Sequence, residues 1–349
     1  MPTATGWQRL RKIGIKKLGR EIYRAEAEAN IAVGHRSSEQ GLVSLEEELT
    51  ERVKRVQAYY DQQLPTYLQV WGFDGRIGFG FFDPPSFHNL SASVFKDAQQ
   101  RQMERLAEMG NFDENSIVLD LGCGAALNCF YLVRRFGCRV VGLDNSRAMV
   151  RKGRMNLNKN YPECFDRLSF FEGTIEELVE DLRVLSEGGL NHGQHSLMKV
   201  LGDVDNCAAP FTHLWCTCTL WFIPEAKRCD ILTLFAGIST PTSRLVIDDC
   251  LCPNRVVSHQ SQHCVYNRLN LGRLWTSSEY RKWVEAAGFA IEVEEDLSKH
   301  CELTYTWLGK SAREHHHEKL ASDYDGTIEA VRQGDLAWYV YIAAKNAAA

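Results

Sequence analysis

Hydrophobic positions group into short runs separated by amphipathic stretches. Ile117, Val118, Leu119 and Leu121 form an apolar run that stops on glycines, the pattern of a buried parallel strand. Asn128 to Phe136 reads as a helix with Phe130, Leu132, Val133 and Phe136 on its apolar side, and Gly137 is placed to end it. A second apolar run, Arg139 to Leu143, ends at Asp144. The order is strand, tight turn, helix, strand, a βαβ unit whose ligand site lies off the carboxyl ends of its strands.

The alternation continues. Ser146 to Asn158 predicts a helix, RLSFFEGTIEEL a third strand ending near Glu172, THLWCTCT a fourth and SRLVIDDCL a fifth. SSEYRKWVEAAGF predicts a helix capped near Thr276, followed by AIEVEEDLS and LAWYVYIAAK as the last two strands. Upstream, Leu45 to Tyr60 predicts a helix opened by Ser44 with Glu47 as its capping-box partner, and Ser91 to Met109 another. The fold class expected is α/β, a doubly wound, seven-stranded, mostly parallel sheet. Three divisions follow: a variable extension over 1–50, a helical and aromatic lid over 51–110, and the sheet domain over 111–349. Two segments exceed what the sheet needs, at 180–208 and at 301–335, the second helical in pattern.

Composition narrows the partners. The 349 residues carry a formal net charge of −5, which gives no general reason to bind nucleic acid. No apolar run reaches the length of a membrane span, so stable membrane insertion is not expected. That leaves a small molecule as partner, with homo-oligomerisation open. The 12 cysteines include no CxxC pair. Strand alternation would put Cys216 with Cys218, and Cys250 with Cys252, on common faces, so packing explains them without a metal. His315 to His317 read as a solvated face of a helical stretch. Buried thiols suit a reducing, cytoplasmic location. The first 25 residues hold seven Lys or Arg against one acid, Glu21, which also fits an organellar targeting segment for a mitochondrion or plastid.

The glycine turn carries the chemistry. Gly122 and Gly124 allow a sharp turn and close approach of a ligand. A dinucleotide fingerprint needs a third glycine where Leu127 stands. Asp120, just before the turn, would repel a pyrophosphate but can receive an ammonium. Asp144, twenty residues beyond Gly124, is placed for ribose hydroxyls. An ammonium, a ribose and no phosphate describe S-adenosylmethionine. The motif resembles the first motif of the class I methyltransferases. A plain nucleotide site, or a fold whose site is dead, are the alternatives.

From about Val56 to Lys345 the chain resembles the sarcosine and dimethylglycine methyltransferase group, allied to the tocopherol, sterol and cyclopropane-forming methyltransferases. The tokens are YYDQ, WGFDGRIGFGFFDP, the glycine turn, FTHLWCTCTLWFIP, YNRL and DLAWYVYIAAK. The resemblance implies a Rossmann-like methyltransferase fold with an N-terminal lid and a C-terminal helical insertion. It implies a cofactor site of Tyr60, Asp120, Gly122, Cys123, Gly124, Asp144, Asn145, Ser146, Thr174, Ile175 and Cys216. Thr174 stands where that group has an acid toward the adenine, and Cys218 and Phe222 stand where it has an acid and a histidine after the fourth strand.

No catalytic residue is assigned by the sequence; Tyr60 and Trp71 are candidates. Without the histidine base, a tertiary amine or a thioether is the favoured acceptor, since neither must shed a proton during transfer. The expected product is an onium, a betaine or a sulfonium. Trp71, Trp221, Phe222 and Tyr266 are candidate substrate-facing residues, since aromatic faces stabilise a cation by roughly 0.5–2 kcal/mol each. Arg268 and Arg76 are candidate clamps for an acceptor carboxylate. Two competing readings stand beside this one: carbon methylation of a sterol, isoprenoid or acyl chain, and an inactive scaffold that binds the cofactor.

Overall fold

The computed structural model describes residues 39–84, 88–174, 177, 211–254 and 256–346. Residues 1–38, which hold the basic segment, Ile175 and the 180–208 insertion lie outside the described residues. The chain divides into two compact units, 1–54 and 55–349. The aromatic segment expected as a lid therefore belongs, from Arg55 on, to the same unit as the sheet.

Among the described residues seven strands form one sheet in the order β3-β2-β1-β4-β5-β7-β6. They are β1 (Ile117–Leu121), β2 (Arg139–Asp144), β3 (Leu168–Glu172), β4 (Phe211–Thr217), β5 (Ser239–Leu251), β6 (Phe289–Asp296) and β7 (Ala337–Lys345). β1 lies parallel to β2 and β4, β2 to β3, and β4 to β5. β7 is antiparallel to both β5 and β6. The expected mixed, mostly parallel sheet is what forms. Strand order reverses between β1 and β4, so a crevice opens over the carboxyl ends of those two strands.

Helices cover both faces: α1 (Glu39–Val70), α2 (Ala92–Gly110), α3 (Leu127–Phe136), α4 (Arg147–Asn160), α5 (Glu225–Ile238), α6 (Ser277–Ala286), α7 (Ser298–Glu314) and α8 (Glu318–Gln333). Thr276 caps α6 as the sequence predicts, with a full capping box to Glu279, and Ser91 and Ser146, expected as the first residues of their helices, cap α2 and α4. Gly137 ends α3 in the left-handed region, φ 72°. One core lies between the sheet and α2, α3, α7 and α8, and a second on the opposite face around Phe235, Trp275 and Tyr280.

Several expectations need correction. α1 begins well before Ser44, so Ser44 lies inside the helix rather than capping it. The helix also continues through Pro65 to Val70. Leu64, Tyr67 and Val70 bury one side of that last part, and tertiary burial outweighs the donor lost at the proline. Helix α5 has no counterpart in the hydrophobic pattern: its apolar residues are too evenly distributed to give a clear stripe. Cys250 and Cys252 pack in the same core, as expected, whereas Cys216 and Cys218 part because β4 ends at Thr217: Cys216 lies in the core on one face and Cys218 packs against the other. Cys218 turns out of the strand with φ 49°. The eleven described cysteines are free thiols. His315 to His317 form the link between α7 and α8 rather than a helical face, with His317 bonded to Gln69 at 2.8 Å. Among the described residues no helix is long and apolar enough to cross a membrane.

Candidate cofactor and acceptor site

The turn after β1 is tied to the end of β2. Gly122 and Cys123 both donate backbone N–H bonds to the Leu143 carbonyl, at 2.8 and 3.0 Å. Gly124 N donates to Asp144 Oδ2 at 2.9 Å. Gly122 has φ 77° and Gly124 φ 55°, values that suit glycine. A Cβ on Gly122 would lie 2.0 Å from Thr219 Oγ1, so the loop after β4 rests on this turn. Gly142 in β2 makes room from the other side, since a side chain there would press on Cys123 and Phe170.

Two carboxylates flank the turn. Asp144 Oδ1 accepts from Ser146 N at 2.8 Å, and each Asp144 oxygen keeps lone-pair capacity for a hydroxyl. Burial pushes its pKa up to about 6, with the Ser146 and Gly124 amides opposing. Asp120 is 1% exposed. Its Oδ2 accepts from the Cys129 thiol at 3.0 Å, whereas Oδ1 is buried with no hydrogen-bond partner. Burial lifts the Asp120 pKa to about 7. A buried acceptor without a partner is costly. An ammonium delivered to Asp120 Oδ1 removes that cost.

The lid is fixed to the same end of the sheet. Asp61 in α1 accepts from the Ser146 hydroxyl at 2.6 Å and from Ala148 N at 3.0 Å, placing a carboxylate at the N-terminus of α4. Asp61 is the acid of the YYD token, and its role was not read from the sequence. Tyr60, beside it, packs edge-on against Tyr59, Tyr67 and Phe222. It lies near enough to Asp144 and Cys218 for their charges to act on it, although burial is the larger cause of its raised pKa.

A cavity open to solvent adjoins the turn. Gly122 to Ala125 and Asn128 form one wall, Arg76 to Phe79 another, and Gln102, Cys218 and Asp248 a third. Asp248 was missed by sequence reasoning. The signal was the acid doublet at the end of an apolar run, LVIDDCL, where alternation sends Asp248 and Asp249 to opposite faces. Asp248 Oδ1 accepts from the Cys218 amide at 3.0 Å and thiol at 3.2 Å, and Oδ2 from Gln102 at 3.3 Å. Burial raises its pKa to about 6. Asp249 accepts from Trp221 N at 3.1 Å.

The remaining candidates are not all at the cavity. Arg76 lines the cavity. Trp71, Trp221 and Tyr266 are buried in the first core. Trp71 Nε1 donates to the Tyr324 hydroxyl at 3.1 Å, Trp221 Nε1 to the Cys218 carbonyl at 2.8 Å, and the Tyr266 hydroxyl to the Asp335 carbonyl at 2.9 Å. Phe222 packs on Tyr60 and Trp221. Arg268 lies under the lid, 5.2 Å over the Tyr324 ring, with Tyr305, Tyr67 and Tyr59 close enough to act on its charge. It donates to the Cys264 carbonyl and the Thr327 hydroxyl, and among the described residues it forms no ion pair. Part of the aromatic cluster thus already houses a cation. Asn145 is half-buried next to Asp144, and the Cys216 side chain is fully buried in the second core. The Thr174 hydroxyl accepts from Glu177 N at 3.2 Å, and the Glu177 carboxylate accepts from Thr174 N at 2.7 Å, so Thr174 caps the following turn.

Residues 118–225 match a family profile described as a methyltransferase domain. Chloroplastic tocopherol O-methyltransferase of Arabidopsis thaliana is 30% identical over 105 residues, 28% of this chain and 30% of that protein. Sterol 24-C-methyltransferase of Kluyveromyces lactis is 28% identical over 124 residues, 36% of this chain and 30% of that protein. The matched stretch thus spans under a third of either relative. A putative sarcosine dimethylglycine methyltransferase from Galdieria sulphuraria superposes with a TM-score of 0.64 at 16% identity, over 82% of this chain and 99% of that one. A cyclopropane synthase from Mycobacterium tuberculosis superposes with a TM-score of 0.67 at 13% identity, over 84% of this chain and 98% of that one. These superpositions speak to fold. Residues 118–225 are a methyltransferase domain, carried on the fold of the class I S-adenosylmethionine-dependent methyltransferases.

Proposed function

We propose that the chain transfers a methyl group from S-adenosylmethionine to the nitrogen or thioether sulfur of a small zwitterionic acceptor, giving a betaine- or sulfonium-type product. When bound, the cofactor supplies an electrophilic methyl on a sulfonium. The acceptor lone pair forms the new bond as the S–CH3 bond breaks; the electron pair stays on the cofactor sulfur, and the positive charge passes to the acceptor. The protein's part is to align the two partners and exclude water.

Asp248 carries this reading. It is a buried carboxylate in the wall of the cavity beside the glycine turn, and among the described residues no cation pairs with it. A fixed negative charge there favours positive charge developing on the acceptor. It also supplies a base where the histidine is missing, which admits a protonated amine as acceptor. Arg268, a cation without an ion pair among the described residues, sits under the tyrosines of the lid and supports an acceptor that carries an acidic group.

Carbon methylation is the second reading. Asp248 would steady a carbocation equally well, and sterol methyltransferases are among the relatives. A cofactor-consumption screen with product identification separates the two. Tertiary-amine acids and thioether acids are tested beside sterols, isoprenoids and fatty acyl groups. Methylation of the zwitterions, abolished in Asp248→Asn with cofactor affinity kept within about threefold, is the expected result. Methylation of the apolar chains alone overturns the onium reading. Cofactor binding with no turnover on any acceptor would favour a scaffold.

A further inference from the structure

Arg76 places a guanidinium in the wall of the cavity. The group contacts the Met103 sulfur at 3.5 Å, and among the described residues it makes no ion pair. The Asp74 carboxylate accepts from the Arg76 backbone N–H at 3.1 Å, and its charge and that of Glu104 act on the guanidinium from a distance without forming an ion pair with it. Asp248 shares the cavity but takes its bonds from Gln102 and Cys218. Burial lowers the Arg76 pKa, the direction expected of a guanidinium that gives up water.

The backbone holding Arg76 is fastened to the glycine turn. A Cβ on Gly75 would stand 3.0 Å from the Ala125 Cβ, so the two segments touch. The Asn156 amide donates to both the Asp74 and the Ala125 carbonyls, at 3.5 and 3.4 Å. The Gln99 amide donates to the Gly78 and Arg76 carbonyls, at 2.8 and 3.4 Å. Three segments distant in sequence thus fix where the side chain starts. Asp120, in β1 two residues before Gly122, keeps its Oδ1 buried without a partner behind the same turn.

From this arrangement we propose that Arg76 binds the α-carboxylate of the cofactor's methionine moiety, while Asp120 takes its α-ammonium. The inference rests on the cofactor assignment and moves Arg76 from an acceptor clamp to a cofactor clamp. An α-amino acid presents opposite charges on one carbon. A turn flanked by a cation with no ion pair among the described residues and by an orphaned carboxylate oxygen matches that dipole. The acceptor's own anion then falls to Arg268, so the two arginines have separate duties.

Calorimetry on the full chain with S-adenosylmethionine and decarboxylated S-adenosylmethionine tests this. The two ligands differ only in the carboxylate. Wild type should bind the intact cofactor at least about tenfold more tightly, the factor that losing a charge-assisted bond produces. In Arg76→Met that preference should collapse, with affinity for the decarboxylated ligand changed by less than about threefold. Arg76→Lys should keep part of the preference and guards against a misfolded Met variant. An unchanged preference in Arg76→Met, or equal weakening of both ligands in both variants, overturns the proposal. Failure of wild type to bind either ligand overturns the cofactor assignment along with it.

Discussion

The Ser146 hydroxyl donates to the Asp61 carboxylate across 2.6 Å, joining residues 85 positions apart. Ser146 caps α4, two residues past Asp144, and Asp61 sits in the lid helix next to Tyr60. With the Ala148 N–H bond to the same carboxylate, it fastens the lid to the end of β2, where a ribose would lie.

Removing that latch should loosen the lid while leaving the sheet intact. Asp61→Ala deletes two accepted hydrogen bonds and the negative charge at a helix N-terminus, a loss of roughly 1–3 kcal/mol. Hydrogen exchange should accelerate in residues 55–70 before it does in β1 or β4. Equal acceleration throughout would mean that the lid and sheet open as one body.

Cofactor affinity should depend on pH through Asp120. Its pKa in the folded, ligand-free protein is raised to about 7, so the carboxyl is partly protonated at neutral pH. An ammonium favours the ionised form, so binding expels a proton and affinity falls as pH drops through about 7. Titration heats at neutral pH should vary with the ionisation enthalpy of the buffer, and Asp120→Asn should remove that part of the variation. For stability the sign is opposite to that of a salt-bridged acid. A folded pKa above the unfolded value means the folded state binds more protons, so this group costs stability as pH rises from the ordinary carboxylate range toward about 7. Asp120→Asn should therefore melt no lower than wild type at mildly alkaline pH without ligand, while binding the cofactor more weakly. A clear fall in Tm at that pH would show that Asp120 is structural.

Trp71 should behave as a core residue. It is 8% exposed, packs against Tyr67, Phe79 and Phe95, and bonds Tyr324. Trp71→Ala should cost roughly 3–5 kcal/mol in denaturant unfolding, the range for large aromatic truncations. Trp71→Phe should lose much less. If Trp71→Ala keeps its stability and loses acceptor turnover, the ring faces the acceptor after all.

The strands, the Thr276 cap and the Gly137 stop were legible because their signals are local. Asp120, Gly122, Gly124 and Asp144 announce themselves through spacing and stand together as that spacing implies. What stayed hidden depends on partners far along the chain. Asp61 is an ordinary acid until α4 is brought to it, and Gly142 is an ordinary strand glycine until Cys123 packs over it. Asp248 looks like half of a polar doublet until β5 is placed beside β4. The aromatic residues of the lid could be counted from the sequence, but not divided between core and cavity. That division is set by which ring meets Trp338 or Tyr305 and which meets open space.

The antiparallel strand β7 has a consequence for synthesis on the ribosome. Among the described residues β6 finds its hydrogen-bond partner in β7 alone, and β7 also covers the outer side of β5. Residues 289–296 are therefore translated well before the strand that pairs with them. Until the segment 337–345 clears the exit tunnel, β5 shows an edge of unpaired backbone N–H and C=O groups to water or to any chaperone present. Nascent chains stalled just short of Ala337 should remain protease-sensitive in both β5 and β6, and the emergence of β7 should protect the two strands together.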